Sequence, residues 1–393
     1  MYTFNKAASR EQTNAEKYTL RKELFDTEDL LPAWVADMDI ETPSFVLEAV
    51  RKRLEHPIIG YEEVSASAFE AQIAWMQRQH GVAFALDDIF YSHSVVASMA
   101  VAIEAFTQEG EGVIVQTPVY SPFFHTVKKL GRRVVKNPLA LREDGSYTFD
   151  IEDLKKKIDE DTKLLLLCSP HNPVGRVWKR EELEAIATLC YERGVIVFAD
   201  EIHSDLVYAP NRHIPFASLN DRAREISLTA IGVGKTFNMA GFAMSSVAVP
   251  DAKLRDRFAK AYVRVHFAQG SVLSHVAFEA AYRDGEEWLR ELKEHLQANY
   301  QMLEEMLREH SELIRLTPIE GTYLAWLDCQ GMGLRDSELR EWFVKEAKLG
   351  LNAGLSFGRE GSGYMRLNFA VPLDTMREII DRLQRALEKY DKD

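Results

Sequence analysis

Cysteine is scarce in this chain: Cys168, Cys190 and Cys329 are the only three among 393 residues. An odd number at wide spacing argues against a disulfide framework and predicts a reducing, cytoplasmic setting. Long apolar runs are missing too, and nothing approaches the stretch of about 18 residues that would span a bilayer. The opening residues, MYTFNKAASREQTNAEKYTL, lack the apolar centre of a secretory signal. No block of lysine and arginine offsets the formal net charge of −13, so neither nucleic acid nor an anionic membrane is an expected partner. Internal repeats and low-complexity linkers are absent as well. What is present is a composition 46% hydrophobic, which suffices for one large core or two smaller ones and predicts two domains or one domain plus a cap.

The middle of the chain alternates short apolar runs with helical patterns. GVIVQTP (112–118), KLLLLCSP (163–170), VIVFADE (195–201) and EISLTAIG (225–232) have strand length and almost no polar interruption. Such runs suit strands buried on both faces of a parallel sheet. Between two of them, residues 180–194 read as a helix opened by Glu181 and Glu182 and closed by Gly194. The alternation predicts an α/β fold with ligands at the C-terminal ends of the strands. From about residue 285 the pattern changes to a long amphipathic helix, two strand-like stretches (GTYLAWLD and GYMRLNFA) and a last helix over 373–390. The expected division is a large domain over 46–284, a smaller α+β domain over 285–393, and residues 1–45 packing on the smaller one.

Gly234-Lys235-Thr236 poses the functional question. A phosphate-gripping loop needs glycine five positions before Gly234, where this chain has Thr229. Gly232-x-Gly234 also lacks the third glycine of a dinucleotide fingerprint. The other use of a lysine is covalent, as a Schiff base with an aldehyde cofactor. That chemistry wants a carboxylate for a pyridine nitrogen, a donor for a phenolic oxygen, a ring to stack and a phosphate cradle. Asp200, Asn172 and Tyr120 each follow a predicted strand, as Lys235 does, so all four converge on one cleft edge. At about 4 Å and an effective dielectric near 20, a carboxylate–pyridinium pair contributes roughly 4 kcal/mol.

In these stretches the chain resembles the fold-type-I pyridoxal 5'-phosphate (PLP) enzymes of the class I/II aminotransferase superfamily, and within them the cystathionine β-lyase-like C–S lyase branch. The stretches are LLPAWVADMDIETP (30–43), IIGYEE (58–63), QTPVYSPFFH (116–125), SPHNPVGRVW (169–178), DEIHSDLVY (200–208), GKTFNMAGF (234–242) and LSFGREGSGYMRLNFAVP (355–372). The resemblance implies that Lys235 forms the Schiff base and moves the α-proton, while Asp200 pairs with the pyridine nitrogen. It implies that Asn172 and His203 face the phenolic oxygen, Tyr120 stacks on the ring and Arg366 forks onto the substrate α-carboxylate. It further implies a homodimer in which Tyr61 reaches the phosphate of the neighbouring subunit.

The phosphate cradle departs from that family. His93-Ser94-Val95-Val96 replaces the usual Pro-Gly-Val-Val, Gly234 replaces a hydroxyl residue, and Ala243 stands where many members have arginine. The backbone N–H groups of Val95 and Val96 remain for an anion, and Ser94 and Thr236 are expected to add hydroxyls. A metal site from Asp200, Glu201 and His203 matches no common ligand spacing. The expected activity is β-elimination from cystathionine, cysteine or a related thioether, giving a thiol, pyruvate and ammonia. An aminotransferase shares the first steps and stays open, as does a non-catalytic regulatory protein on the same fold.

Overall fold

The computed structural model describes residues 2–6, 8–265 and 270–390. Its main sheet has seven strands: β1 (Ile89–Ser92), β2 (Gly112–Val115), β3 (Arg133–Lys136), β4 (Thr162–Cys168), β5 (Ile196–Asp200), β6 (Ser227–Gly232) and β7 (Ser245–Ala248). They lie in the order β1-β7-β6-β5-β4-β2-β3. β7 runs antiparallel to both neighbours, and the other pairings are parallel. The uninterrupted apolar runs have the cause expected for them. Leu164 and Leu166 pack into one core layer while Leu165 and Leu167 pack into another, so helices cover both faces.

Several strand edges differ from the sequence expectation; the runs 163–170 and 195–201 stop as strands at Cys168 and Asp200. β2 ends at Val115 rather than running on to Pro118, and β6 begins at Ser227 because Glu225 closes a short helix, Asp221–Glu225. The helix Arg180–Arg193 forms as read, and Gly194 ends it in the left-handed conformation at φ 66°. Gly232 is required for a different reason. A Cβ there would sit 2.8 Å from the Cβ of Ser245 on β7, closer than two strands can tolerate.

Beyond the long helix Glu286–Arg308 lies a four-stranded antiparallel sheet, ordered Arg315–Leu316, Leu324–Asp328, Tyr364–Asn368, Asn352–Ala353. The last helix, Leu373–Tyr390, follows it. Near the start of the chain, Leu31–Pro32 pairs in parallel with Leu349–Gly350.

The next residues, 34–40, have no regular ladder of their own, so side chains from elsewhere satisfy their backbone. Asn368 Nδ2 donates to the carbonyls of Val35 and Asp37, both at 2.6 Å. Asn238 accepts from the Met38 N–H at 3.0 Å and donates to the carbonyls of Met38 and Ile40 at 3.0 and 2.7 Å. Buried Lys17 meets Asp37 and Asp39 at 3.1 and 3.0 Å, and Arg10 reaches the same two carboxylates at 2.7 and 2.8 Å. Asn238 itself sits at φ 51°, a conformation asparagine tolerates better than alanine. Replacing Asn238 with Ala is therefore expected to lower stability by about 2–4 kcal/mol in urea denaturation. A loss below about 0.5 kcal/mol would show that this clamp does not hold residues 38–40.

Candidate functional site

The register of the main sheet places Cys168 opposite Asp200 and Asp200 opposite Ala230, at the C-terminal ends of β4, β5 and β6. A cavity of about 200 Å³ opens above them. Ser94, Val95, Val96, Tyr120, Asn172, Asp200, His203 and Lys235, all named from the sequence, line it together. Three other named residues do not. Arg366 stands behind Asn172, Tyr61 lies on the outer surface, and Thr236 faces the core.

Asp200 is buried, and no ion pair closes on it among the described residues; the Ile202 N–H donates to its Oδ1 at 3.2 Å. Burial pushes its carboxyl up to about 7, against the opposing pull of that N–H and of Lys235. Lys235 occupies a one-turn helix, Val233–Thr236, directly after β6. Its Nζ donates to the carbonyl of Ala36 at 2.6 Å. Burial, aided by the Arg366 charge, brings its ammonium down to about 8. The Tyr323 hydroxyl donates to the same carbonyl at 2.8 Å, and the Tyr323 ring stands edge-on to His203 at 5.7 Å. Burial keeps His203 well below the usual imidazole range, and its Nδ1 has no hydrogen-bond partner among the described residues.

Arg366, on the strand Tyr364–Asn368, is buried over the Phe357 ring. It donates to Asn172 Oδ1 at 3.0 Å, to the Trp34 carbonyl at 2.8 Å and to Asn352 Oδ1 at 2.7 Å, while its Nε has no partner among the described residues. Desolvation brings the guanidinium down to about 10. Because Asn172 Oδ1 accepts from Arg366, its Nδ2 is left as a donor. The Tyr120 N–H donates to the Asn172 carbonyl at 3.2 Å, which ties Tyr120 to the same corner.

At the other end of the cavity the helix Val95–Phe106 begins. Ser94 is its N-cap, with Oγ accepting the Ala97 N–H at 3.1 Å. The first-turn N–H groups of Val95 and Val96 have no acceptor within the helix and suit an anion. Thr236 corrects the sequence expectation. Its hydroxyl is buried and donates to Asp205 Oδ2 at 2.8 Å, so its one proton is committed away from the cavity. Tyr61 is fully exposed, beside exposed Ile58 and Ile59. Among the described residues no group of three or more His, Cys, Asp or Glu is placed to hold a metal ion.

Sequence reasoning missed the wall formed by residues 34–37. The carbonyls of Trp34 and Ala36 touch Arg366 and Lys235, but a backbone group leaves no residue type to read. The WVADMD stretch was the only signal. Cys168 was readable in principle, since it ends a strand beside Asp200.

The two shifted groups fit PLP. A buried carboxylate that no ion pair closes on among the described residues favours a protonated ring nitrogen, His203 Nδ1, unpartnered among those residues, offers a partner to a polar substituent, and the helix start offers donors to a phosphate. Without such a partner, the raised Asp200 acid binds more protons folded than unfolded between about pH 4 and 7, so stability falls as pH rises through that window. Cofactor-free protein is expected to lose on the order of 2–4 kcal/mol from this group between pH 4 and 8. The Asp200→Asn variant should lack that slope in denaturant titrations, and parallel profiles for the two would contradict the assignment.

Comparison with known proteins agrees with this geometry. A family model described as aminotransferase class I and II matches residues 36–383. The chain is 40% identical over 385 residues to the cystathionine β-lyase PatB of Bacillus subtilis, covering 98% of this chain and 99% of that protein. It superposes on PLP-containing cystalysin from Treponema denticola with a TM-score of 0.95 at 30% identity, covering 99% of each chain. The PLP-bound C–S lyase of Staphylococcus hominis gives a TM-score of 0.90 at 31% identity over 98% of each chain. With the family match spanning most of its length and the expected lysine and aspartate facing one cavity, the chain belongs to the class I and II aminotransferase family.

Proposed function

We propose that this chain is a PLP-dependent C–S β-lyase that cleaves cystathionine- or cysteine-type thioethers to a thiol, pyruvate and ammonia. One observation carries the reading: Lys235 and Asp200 face the same buried cavity in a chain similar, nearly end to end, to a cystathionine β-lyase. Bound PLP supplies a conjugated ring that accepts the electron pair left when the substrate Cα–H bond breaks.

The residues divide the remaining work. Lys235 would hold the cofactor covalently, and its Nζ, when free, would take the Cα proton. An ammonium brought down to about 8 exchanges protons near neutral pH, as a general base requires. Asp200 keeps the ring nitrogen protonated, and the cation in turn relieves the cost of burying that carboxylate. Asn172 and His203, which line the same cavity, would face the phenolic oxygen. Asn172, with the Arg366 charge behind it, would hold the substrate carboxylate; of the guanidinium, Nε is without a partner among the described residues. Tyr120 packs its ring on the cofactor face. Val95 and Val96 present N–H groups to the phosphate, with the Ser94 hydroxyl beside them. With the proton on Lys235, the thiolate leaves from Cβ; addition of water turns the three-carbon remainder into pyruvate and ammonia.

The assembly in this reading is a homodimer. Exposed Ile58, Ile59 and Tyr61 form an apolar loop that a second copy would cover, with Tyr61 serving the neighbouring site. The chain divides into an N-terminal segment (1–45), a cofactor-binding domain (46–284) and a smaller domain (285–393). A cytoplasmic location is supported by three buried, unpaired cysteines. Incubation with L-cystathionine alone is expected to release pyruvate and ammonia in equal amounts, and Lys235→Ala should reduce the rate by at least about 1,000-fold. Strict dependence on a 2-oxo acid co-substrate would contradict the lyase and favour transamination.

A further inference from the structure

Behind the cavity lies a set of buried polar groups that the proposed chemistry leaves unused. Asp205 is buried and accepts three hydrogen bonds: from Trp75 Nε1 at 2.9 Å, from His80 Nε2 at 2.8 Å and from Thr236 Oγ at 2.8 Å. The His80 ring stands edge-on to His213 at 5.3 Å, and His213 Nε2 lies 3.0 Å from Glu201 Oε2. The Phe216 N–H donates to the other oxygen of Glu201 at 2.8 Å. The network thus starts next to Asp200 in the chain and ends next to Lys235.

Its end at Thr236 bears on the chemistry. Lys235 and Thr236 belong to a helix of four residues, closed by the Phe237 N–H on Val233 at 3.0 Å and followed by the Met239 N–H on Gly234 at 3.1 Å. One turn of helix has little stability of its own. Successive helical residues point about 100° apart, so holding Thr236 in the core fixes the direction in which Lys235 leaves the backbone. The other restraint on Lys235 is its 2.6 Å bond to the Ala36 carbonyl, which Nζ gives up when it engages a ligand. From then on, Thr236–Asp205 is the side-chain anchor of that turn. Asp205 cannot easily turn away, because Trp75 and His80 both bind its Oδ1 while Thr236 binds Oδ2.

We propose that Asp205 is a positioning residue: through Thr236 it sets the direction from which Lys235 Nζ approaches the substrate Cα. This rests on Lys235 carrying the cofactor. The test uses cofactor-loaded protein and compares Thr236→Val, which keeps shape and deletes the hydroxyl, with Thr236→Ser, which keeps the hydroxyl. Three quantities are read: urea stability, kcat and KM on L-cystathionine, and the pH midpoint of the visible absorbance of the loaded protein. Charged groups facing Lys235 (Arg366, Asp37, Asp200 and Glu16) are untouched in both variants.

Thr236→Val is expected to bind cofactor with KM within about twofold of wild type, to lose kcat by about tenfold, and to move the midpoint by about half a pH unit. Thr236→Ser should recover kcat and midpoint. Asp205→Asn should reproduce the Val variant, and combining the two should cost no more than either alone. Unchanged kcat and midpoint in Thr236→Val, or a Ser variant as impaired as Val, would overturn the proposal. So would losses that follow urea stability alone. If Val does not fold, Thr236→Cys is read in the same way. A wild-type protein that takes up no cofactor would overturn the assignment of Lys235 and the Asp205 link with it. A wild type that binds it, beside an unaffected Val variant, overturns the Asp205 link alone.

Discussion

The site depends on a buried carboxylate on which, among the described residues, no ion pair closes. Asp200 ends a central strand, shielded from water, with one backbone N–H for company. Ionised, it is costly there; neutral, it could not hold a ring nitrogen in its protonated form. The parallel sheet sets up this tension by ending its apolar strands at a common edge. A cationic partner resolves it, so cofactor binding and relief of a folding cost are the same event. Lys235 is held in the complementary state, an amine eased toward neutrality by the same desolvation and by the Arg366 charge.

The second constraint is the meeting of distant parts of the chain at residues 34–37. The Ala36 carbonyl receives both Lys235 and Tyr323, and the Trp34 carbonyl receives Arg366. Lysine from the helical turn after β6 and arginine from the antiparallel sheet are thus registered against one stretch of backbone. Arg10 and Lys17 fix this part of the chain through Asp37 and Asp39, while Asn368 holds residues 35–37 and Asn238 holds the following residues 38–40. Pairing two cations with two carboxylates avoids leaving a buried charge alone, whose cost would be several kcal/mol.

Much of this was legible in the chain. KLLLLC and VIVFAD read as doubly buried strands because nearly every side chain is apolar, and Asn172 and Asp200 stand out where those runs stop. Lys235 was legible for the same reason. Thr236 was not: a hydroxyl beside a lysine looks like a second donor to the same ligand, yet one helical step turns it into the core and onto Asp205. Tyr61 reads in sequence as a site residue, but within one chain it lies on the surface. The roles of Trp34 and Ala36 belong to carbonyl groups, which every residue has, so only the fold reveals them.

The central claim is that Lys235, facing Asp200, carries the cofactor. Its most direct measurement is borohydride reduction of protein supplied with PLP, followed by proteolysis and mass spectrometry of the peptides. A pyridoxyl mass increment confined to the peptide containing Lys235, and absent from Lys235→Ala, is the predicted result. No increment, or one on another lysine, would contradict it.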